Sequence, residues 1–358
     1  MSEVRADAAH QGFIDWMKAI GMVLIVVGHV VGAPDSLFNS VSAPIYSKQL
    51  GVAFFVFIAG WGLARNTYPR LETVYRRLFE IVVLGLICAV FMSAVTWVTV
   101  GDLAESNYLP LVGGVNVFLN YFPANPTTWY IGMYIHLMLF WFLFLQRGVA
   151  VWWLPIALIA EILIRAGFLH AGLPFTGYMM LTNWLSVFLI GYQLAGTTDH
   201  RATRRAFGFT AIWAGVLYAW LTLQAGLSFD GNFPTRLPSE GDSSLLLASF
   251  LVTAIYLFNT LMAFTVFRSI PVPRAISFIA RHTLLIFILH MPLIYAVSED
   301  IYAVFPSPWM GKTAMTVIVF SALGLLSHVA HHTLRLPEIR AFLWRNLVAS
   351  KAAVSSSD

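Results

Sequence analysis

The sequence predicts an all-α polytopic integral membrane protein with about ten transmembrane helices, and three observations carry that expectation. Of its 358 residues, 59% are apolar and only 11% charged, against roughly 25% charged in a soluble domain. Apolar runs of about 20 residues, the length that spans a bilayer, recur along the whole chain. The basic residues fall in the short segments between those runs, which is how membrane topology is written in sequence. Aromatic residues reach 15%, with 12 Trp, as interfacial belts require.

In chain order, residues 1–12 are polar and expected to be disordered. A membrane domain is expected over 13–333, with spans near 13–33, 48–65, 78–101, 128–147, 149–168, 176–196, 206–227, 245–269, 275–298 and 311–333. The second is short. The first is read as a retained span rather than a signal peptide: its apolar core Ile20–Val31 is long, holds His29 and lacks a small-x-small cleavage site. A tail over 334–358, basic and then Ser-rich, is expected to be cytosolic. No internal repeat, low-complexity block or soluble domain interrupts the chain.

With the N-terminus inside, the inner segments hold 15 Lys and Arg and the outer ones only Lys48, Arg165, Arg236 and Lys312. Both termini are therefore expected in the cytosol. The same placement turns the net charge of +4 into a topology signal and excludes nucleic acid as the partner. The outer loops over 102–127 and 228–244 are acidic, turn-rich and aromatic. That composition suits sugar hydroxyls and ring faces, although interfacial aromatics give the same residues. Cys88 is alone in an apolar run, so neither a disulfide nor a cysteine metal site is expected.

The first span, Phe13–Val31, carries three residues that hydrocarbon should reject: Asp15, Lys18 and His29. Lys18 and His29 are 11 positions apart, which on an α-helix is roughly 16 Å of rise and within about 20° of one face. Intramembrane ionisable residues usually face a bundle interior or a wet cavity. His29 is therefore a candidate general base for a hydroxyl, and equally a packing histidine bonded to a neighbouring span. Asp15 and Lys18, at i and i+3, can pair on one face. In the second span, Gly60 and Gly62 allow close helix approach. The cluster Arg65, Arg70, Arg76 and Arg77 is able to hold nucleotide phosphates, but positive-inside loops look the same. The ninth span carries Arg281, His282 and His290, with Pro292 expected to kink the helix beside that last imidazole. Glu161 and Arg165 read as a structural i, i+4 pair. His328 and His331 share a face, but no third metal ligand is visible and no metal is expected. No GxSxG elbow, P-loop, dinucleotide fingerprint or HExxH motif is present.

Three stretches together resemble membrane acyltransferase family 3, the integral-membrane O-acyltransferases of carbohydrates. IDWMKAIGMVLIVVGHV matches the family's D-x-x-[R/K]-ten residues-H signature with Asp15, Lys18 and His29. VAFFVFIAGWGLAR is similar to its FF-x-x-[SA]-G-[FYW] stretch through Phe54, Phe55, Ala59, Gly60 and Trp61, with one residue more between Phe55 and Ala59, and FIARHTLLIFILHMPLIY resembles its late helix with His290. A WYI-type helix start stands at Trp129. The resemblance covers all ten expected spans. Lys18 stands where the family usually has Arg, which looks more like the fucose 4-O-acetylase-like branch and gives up the planar guanidinium fork.

The resemblance implies transfer of an acyl group, most often acetyl, from acyl-coenzyme A in the cytosol to a hydroxyl of a sugar or glycan. It implies a plasma-membrane enzyme of bacterial polysaccharide modification, with acetyl-CoA as donor. On that reading His29 is the base or acyl relay and Lys18, with Asp15, holds or polarises the donor. Arg65, Arg76, Arg77 and Arg281 are candidates for the coenzyme phosphates, and Trp61, Trp129 and His290 for the substrate side. The rival expectation is a transporter or flippase of a glycan intermediate, with no bond chemistry. Against it stands the lack of the two-half repeat that many transporters show.

Overall fold

A computed structural model of the chain describes residues 2–30, 47–119, 125–145, 150–196, 199–223, 242–305 and 307–355. All regular structure among them is helical. In chain order the helices are α1 (Ser2–His29), α2 (Ser47–Ala64), α3 (Arg70–Val100), α4 (Val115–Leu119), α5 (Trp129–Phe144) and α6 (Trp153–His170). They continue with α7 (Pro174–Met179), α8 (Leu185–Ala195), α9 (Asp199–Leu223) and α10 (Asp242–Phe267). The last three are α11 (Arg274–Val304), α12 (Pro308–Leu334) and α13 (Leu336–Ser355).

Among the described residues, 7 helical stretches are long and apolar enough to cross a membrane. They lie in α1, α3, α5, α6, α10 and α11, and in one run from α12 into α13. The expected second span is the shorter apolar helix Lys48–Ala64. The expected seventh runs past α9 into residues outside the described set, as do loop residues 120–124 and 228–241 and the basic residues Arg147 and Arg236.

The expected sixth span is not one helix. α7 stops at Met180, whose ψ of 147° is extended, and a 3₁₀ turn over Leu181–Trp184 leads into α8. Non-helical backbone at membrane depth is tolerated only where protein satisfies it, and here Arg165 does so. Its Nε donates to Asn183 Oδ1 at 2.6 Å and its Nη2 to Asn183 O at 3.3 Å. The same guanidinium donates to Glu161 Oε1 at 2.7 Å, Ser249 O at 2.6 Å and Thr253 Oγ1 at 2.8 Å. Glu161 also accepts from Ser186 Oγ, Ser186 N and Thr253 Oγ1. The expected structural pair is thus the centre of a buried knot joining α6, α8 and α10.

α1 packs against α2 and α11, and α2 against α8. The α2–α8 contact is backbone on backbone: a Cβ at Gly60 would strike Phe188 O, and one at Gly191 would strike Phe57 O. Phe13, Trp61 and Phe264 meet edge-on or tilted at 4.9–5.2 Å and fix the start of the α1 span against α2 and α10.

Removing one member of a buried ion pair strands the other. Arg165→Met should therefore cost about 3–5 kcal/mol and lower the thermal unfolding midpoint in detergent. Glu161→Leu combined with Arg165→Met should recover part of that loss.

Candidate active site

Residues from α1, α2, α3, α5, α11 and α13 enclose a cavity of about 320 Å³. Its charged lining is Lys18 from α1, Arg76, Arg77 and Glu80 from α3, and Arg340 from α13. Its other walls are Phe55, Ile58, Ala59, Ile81, Tyr130, Tyr134, Thr283, Leu284 and Phe287. Four cations against one carboxylate make a receptor for an anion, and the aromatic and aliphatic wall suits an apolar stem behind it.

The arginines are positioned by neighbours. Arg76 Nε meets Glu72 Oε1 at 2.7 Å, one turn back on α3, and its guanidinium lies 4.0 Å over the Tyr68 ring. Arg77 lies beside Tyr134 of α5 in the cavity wall. It is seated against Gly62, where a Cβ would lie 2.6 Å from its Nη2. Gly62 therefore makes room for a guanidinium, while Gly60, two residues earlier, makes room for a helix. The expected Asp15–Lys18 pair is not closed. Asp15 Oδ2 instead accepts from Ser277 Oγ of α11 at 2.9 Å, which ties α1 to α11 and leaves Lys18 in the cavity wall within the field of the carboxylate.

One turn beyond Phe287 the two candidate histidines meet. His29 Nδ1 and His290 Nε2 are 3.1 Å apart, with ring centroids at 5.1 Å. Their surroundings set the tautomers. His290 Nδ1 faces Phe287 O at 2.8 Å and Ile286 O at 3.2 Å, and His29 Nδ1 faces Ile25 O at 2.9 Å. Carbonyl oxygens only accept, so in the neutral rings both Nδ1 atoms carry the hydrogen. His290 Nε2 is then an acceptor for His29 Nδ1–H. His29 Nε2 keeps its lone pair and, among the described residues, bonds to nothing.

The helix that carries His290 is locked at this point. Pro292 has no N–H to give to the carbonyl four residues back, which is Ile288 O. Asn125 Nδ2 supplies the missing donor at 2.6 Å. Asn125 Oδ1 accepts from Thr127 N at 3.3 Å and lies 2.7 Å from Thr127 Oγ1, itself 3.3 Å from Phe287 O. The turn that starts α5 is thereby fastened to the proline site of α11, and Tyr130 follows it onto Phe287 with centroids at 5.0 Å.

The structure brings Lys18, Arg76 and Arg77 to one cavity and His29 to His290. It does not bring the other expected residues there. Arg65 donates to Ala195 O at 3.3 Å and lies 4.8 Å over the Trp61 ring. Arg281 is exposed, donates to Ser277 O at 3.1 Å and borders a separate pocket of about 80 Å³ with His282 and His331. Trp61 is 2% exposed within the core. Trp129 stacks on Trp184 at 6.2 Å, while its neighbour Tyr130 lines the cavity. Among the described residues no group of three His, Cys, Asp or Glu is placed to hold a metal. Sequence reasoning passed over Tyr130, Tyr134 and Asn125, and read Glu80 only as an interfacial residue and Arg340 only as one of the inner-segment cations. Only Tyr130 had a signal, as the second residue of the WYI start.

A family described as an acyltransferase domain matches residues 11–328. The chain belongs to acyltransferase family 3. No curated protein and no solved structure matches it. In this membrane acyltransferase the matched segment contains Lys18, His29, Arg76, Arg77 and His290, and ends before Arg340.

The two glycines of α2 separate packing from chemistry. Gly60→Ala should lower the unfolding midpoint, because its Cβ meets main chain. Gly62→Ala should leave the midpoint close to wild type and reduce acyl transfer several-fold by displacing the flexible end of Arg77, as parallel unfolding and activity assays would read.

Proposed function

We propose that this acyltransferase moves an acyl group, acetyl in the first instance, from acyl-coenzyme A on the cytosolic side to a hydroxyl of a sugar or glycan. The observation that supports this best is the alignment along α1 and α11 of a cationic cavity with a histidine pair one turn beyond its end. Lys18 stands about 16 Å back from His29 along the helix, so it holds the anionic part of the donor rather than the reacting carbonyl. Arg76 and Arg77 share that task. Arg65 and Arg281, outside the cavity lining, are left out of the donor site.

In the reaction His29 Nε2 takes the proton of the acceptor hydroxyl as its oxygen attacks the thioester carbonyl. The carbon–sulfur bond breaks, and the same Nε2–H returns the proton to the departing thiolate. While His29 is charged, its Nδ1–H donates to His290 Nε2, which stabilises the cation and fixes the ring. His290 is thus a positioning residue. Both termini are read as cytosolic with about ten crossings, supported by the excess of basic residues in the inner segments, 15 against Lys48, Arg236 and Lys312 once the buried Arg165 is set aside. Lys18 in place of Arg supports the fucose 4-O-acetylase-like branch, and a bacterial inner membrane with a polysaccharide acceptor completes the reading.

Thiol release from acetyl-CoA by the purified protein, with and without a mixed glycan extract, tests this. Release should need the extract, and His29→Ala should lower kcat about 10²–10⁴-fold with its unfolding midpoint retained. No release by folded wild-type protein with any acyl donor would overturn the reading in favour of a transporter.

A further inference from the structure

α13 lies beyond the residues matched to the family, yet it closes one side of the cavity. Three contacts hold it on α3. Trp344 stacks on Tyr75 with centroids at 5.0 Å, Tyr75 OH donates to Arg340 O at 3.1 Å, and Arg340 Nη1 meets Glu80 Oε1 at 2.6 Å. Nη1 also lies 3.4 Å from Arg76 O. Both bonds of this guanidinium to described residues are therefore on one nitrogen. Nε and Nη2 donate to no described residue, in a side chain that lines the cavity beside Arg76 and Arg77 and is 21% exposed.

A planar fork anchored at one nitrogen is preorganised at its remaining donors, and those donors match phosphate oxygens. Resting on the donor reading above, we propose that the C-terminal helix completes the donor site. Arg340, held by Glu80 and the Arg76 carbonyl, binds a phosphate at the nucleotide end of the acyl donor. Arg340 is then a specificity residue for phosphorylated donors and has no part in the chemistry at His29.

The test measures coenzyme A binding by calorimetry and acetyl transfer kinetics on the full-length protein. Arg340→Ala, Arg340→Lys and, as a control from the same helix, the exposed Arg345→Ala are compared. Acetyl-coenzyme A and S-acetylpantetheine, which lacks the nucleotide, are the two donors. Arg340→Ala should weaken coenzyme A binding and raise KM for acetyl-coenzyme A by about tenfold or more, the effect of a lost charge-assisted bond. The kcat, and all turnover of S-acetylpantetheine, should be unchanged. Arg340→Lys, which keeps charge without the fork, should recover part of the binding, and Arg345→Ala should match wild type. Unchanged coenzyme A affinity in Arg340→Ala would overturn the proposal, as would equal losses with both donors. Wild-type protein that binds no coenzyme A would instead overturn the donor reading itself, and this inference with it.

Discussion

A bilayer core offers no water to a stray donor or acceptor, so polar side chains placed there must be completed by other protein groups or by what the protein binds. The two polar centres of this chain meet that constraint in opposite ways. Around Glu161 and Arg165 both carboxylate oxygens and all three guanidinium nitrogens have partners, drawn from α6, α8, α10 and the turn between α7 and α8. Neither side chain of the ion pair keeps a heteroatom for a ligand, and the one donor of the knot left over among the described residues is Asn183 Nδ2. Around Lys18, Arg340 and His29 the partners supplied by the fold stop short: donors and a lone pair are left over along one line of the bundle. A closed polar network fixes structure, and an open one awaits substrate.

That contrast also separates what the sequence discloses from what it conceals. Asp15, Lys18 and His29 are legible because one helix carries them and the α-helical repeat fixes their relative positions. His290 is legible beside Pro292 for the same local reason. Trp61 and Trp129 mislead because a tryptophan near a motif reads alike whether it faces a cavity or, as here, a core of Phe13, Phe264 and Trp184. The break in the expected sixth span is invisible locally, since Arg165, which satisfies it, sits on the preceding helix. Arg340 reads as one more basic residue in a tail. Its meaning comes from Tyr75 and Glu80, far away in the chain.

The aromatic wall of the cavity links the two halves of the site. Tyr130 touches Phe55, Tyr134 and Phe287, so α2, α5 and α11 converge on one ring between the cationic end and the histidines. Ring packing of this kind is stiff and dry. On the proposed reading it shapes the passage that a flexible acyl chain would thread, and the charged groups at the opposite end would carry the affinity.

The bond from Asn125 to Ile288 O has a bearing on how such chains diverge. Pro292 leaves a carbonyl without its helical donor, and an amide from a distant loop takes that place. The two residues form one unit split between remote positions. With Pro292 alone replaced, the restored N–H and the Asn125 amide would compete for one oxygen. With Asn125 alone replaced, a buried carbonyl would stand orphaned beside the histidines. Each single step passes through a less fit intermediate, so lineages are expected to keep this proline and this asparagine together or to lose them together.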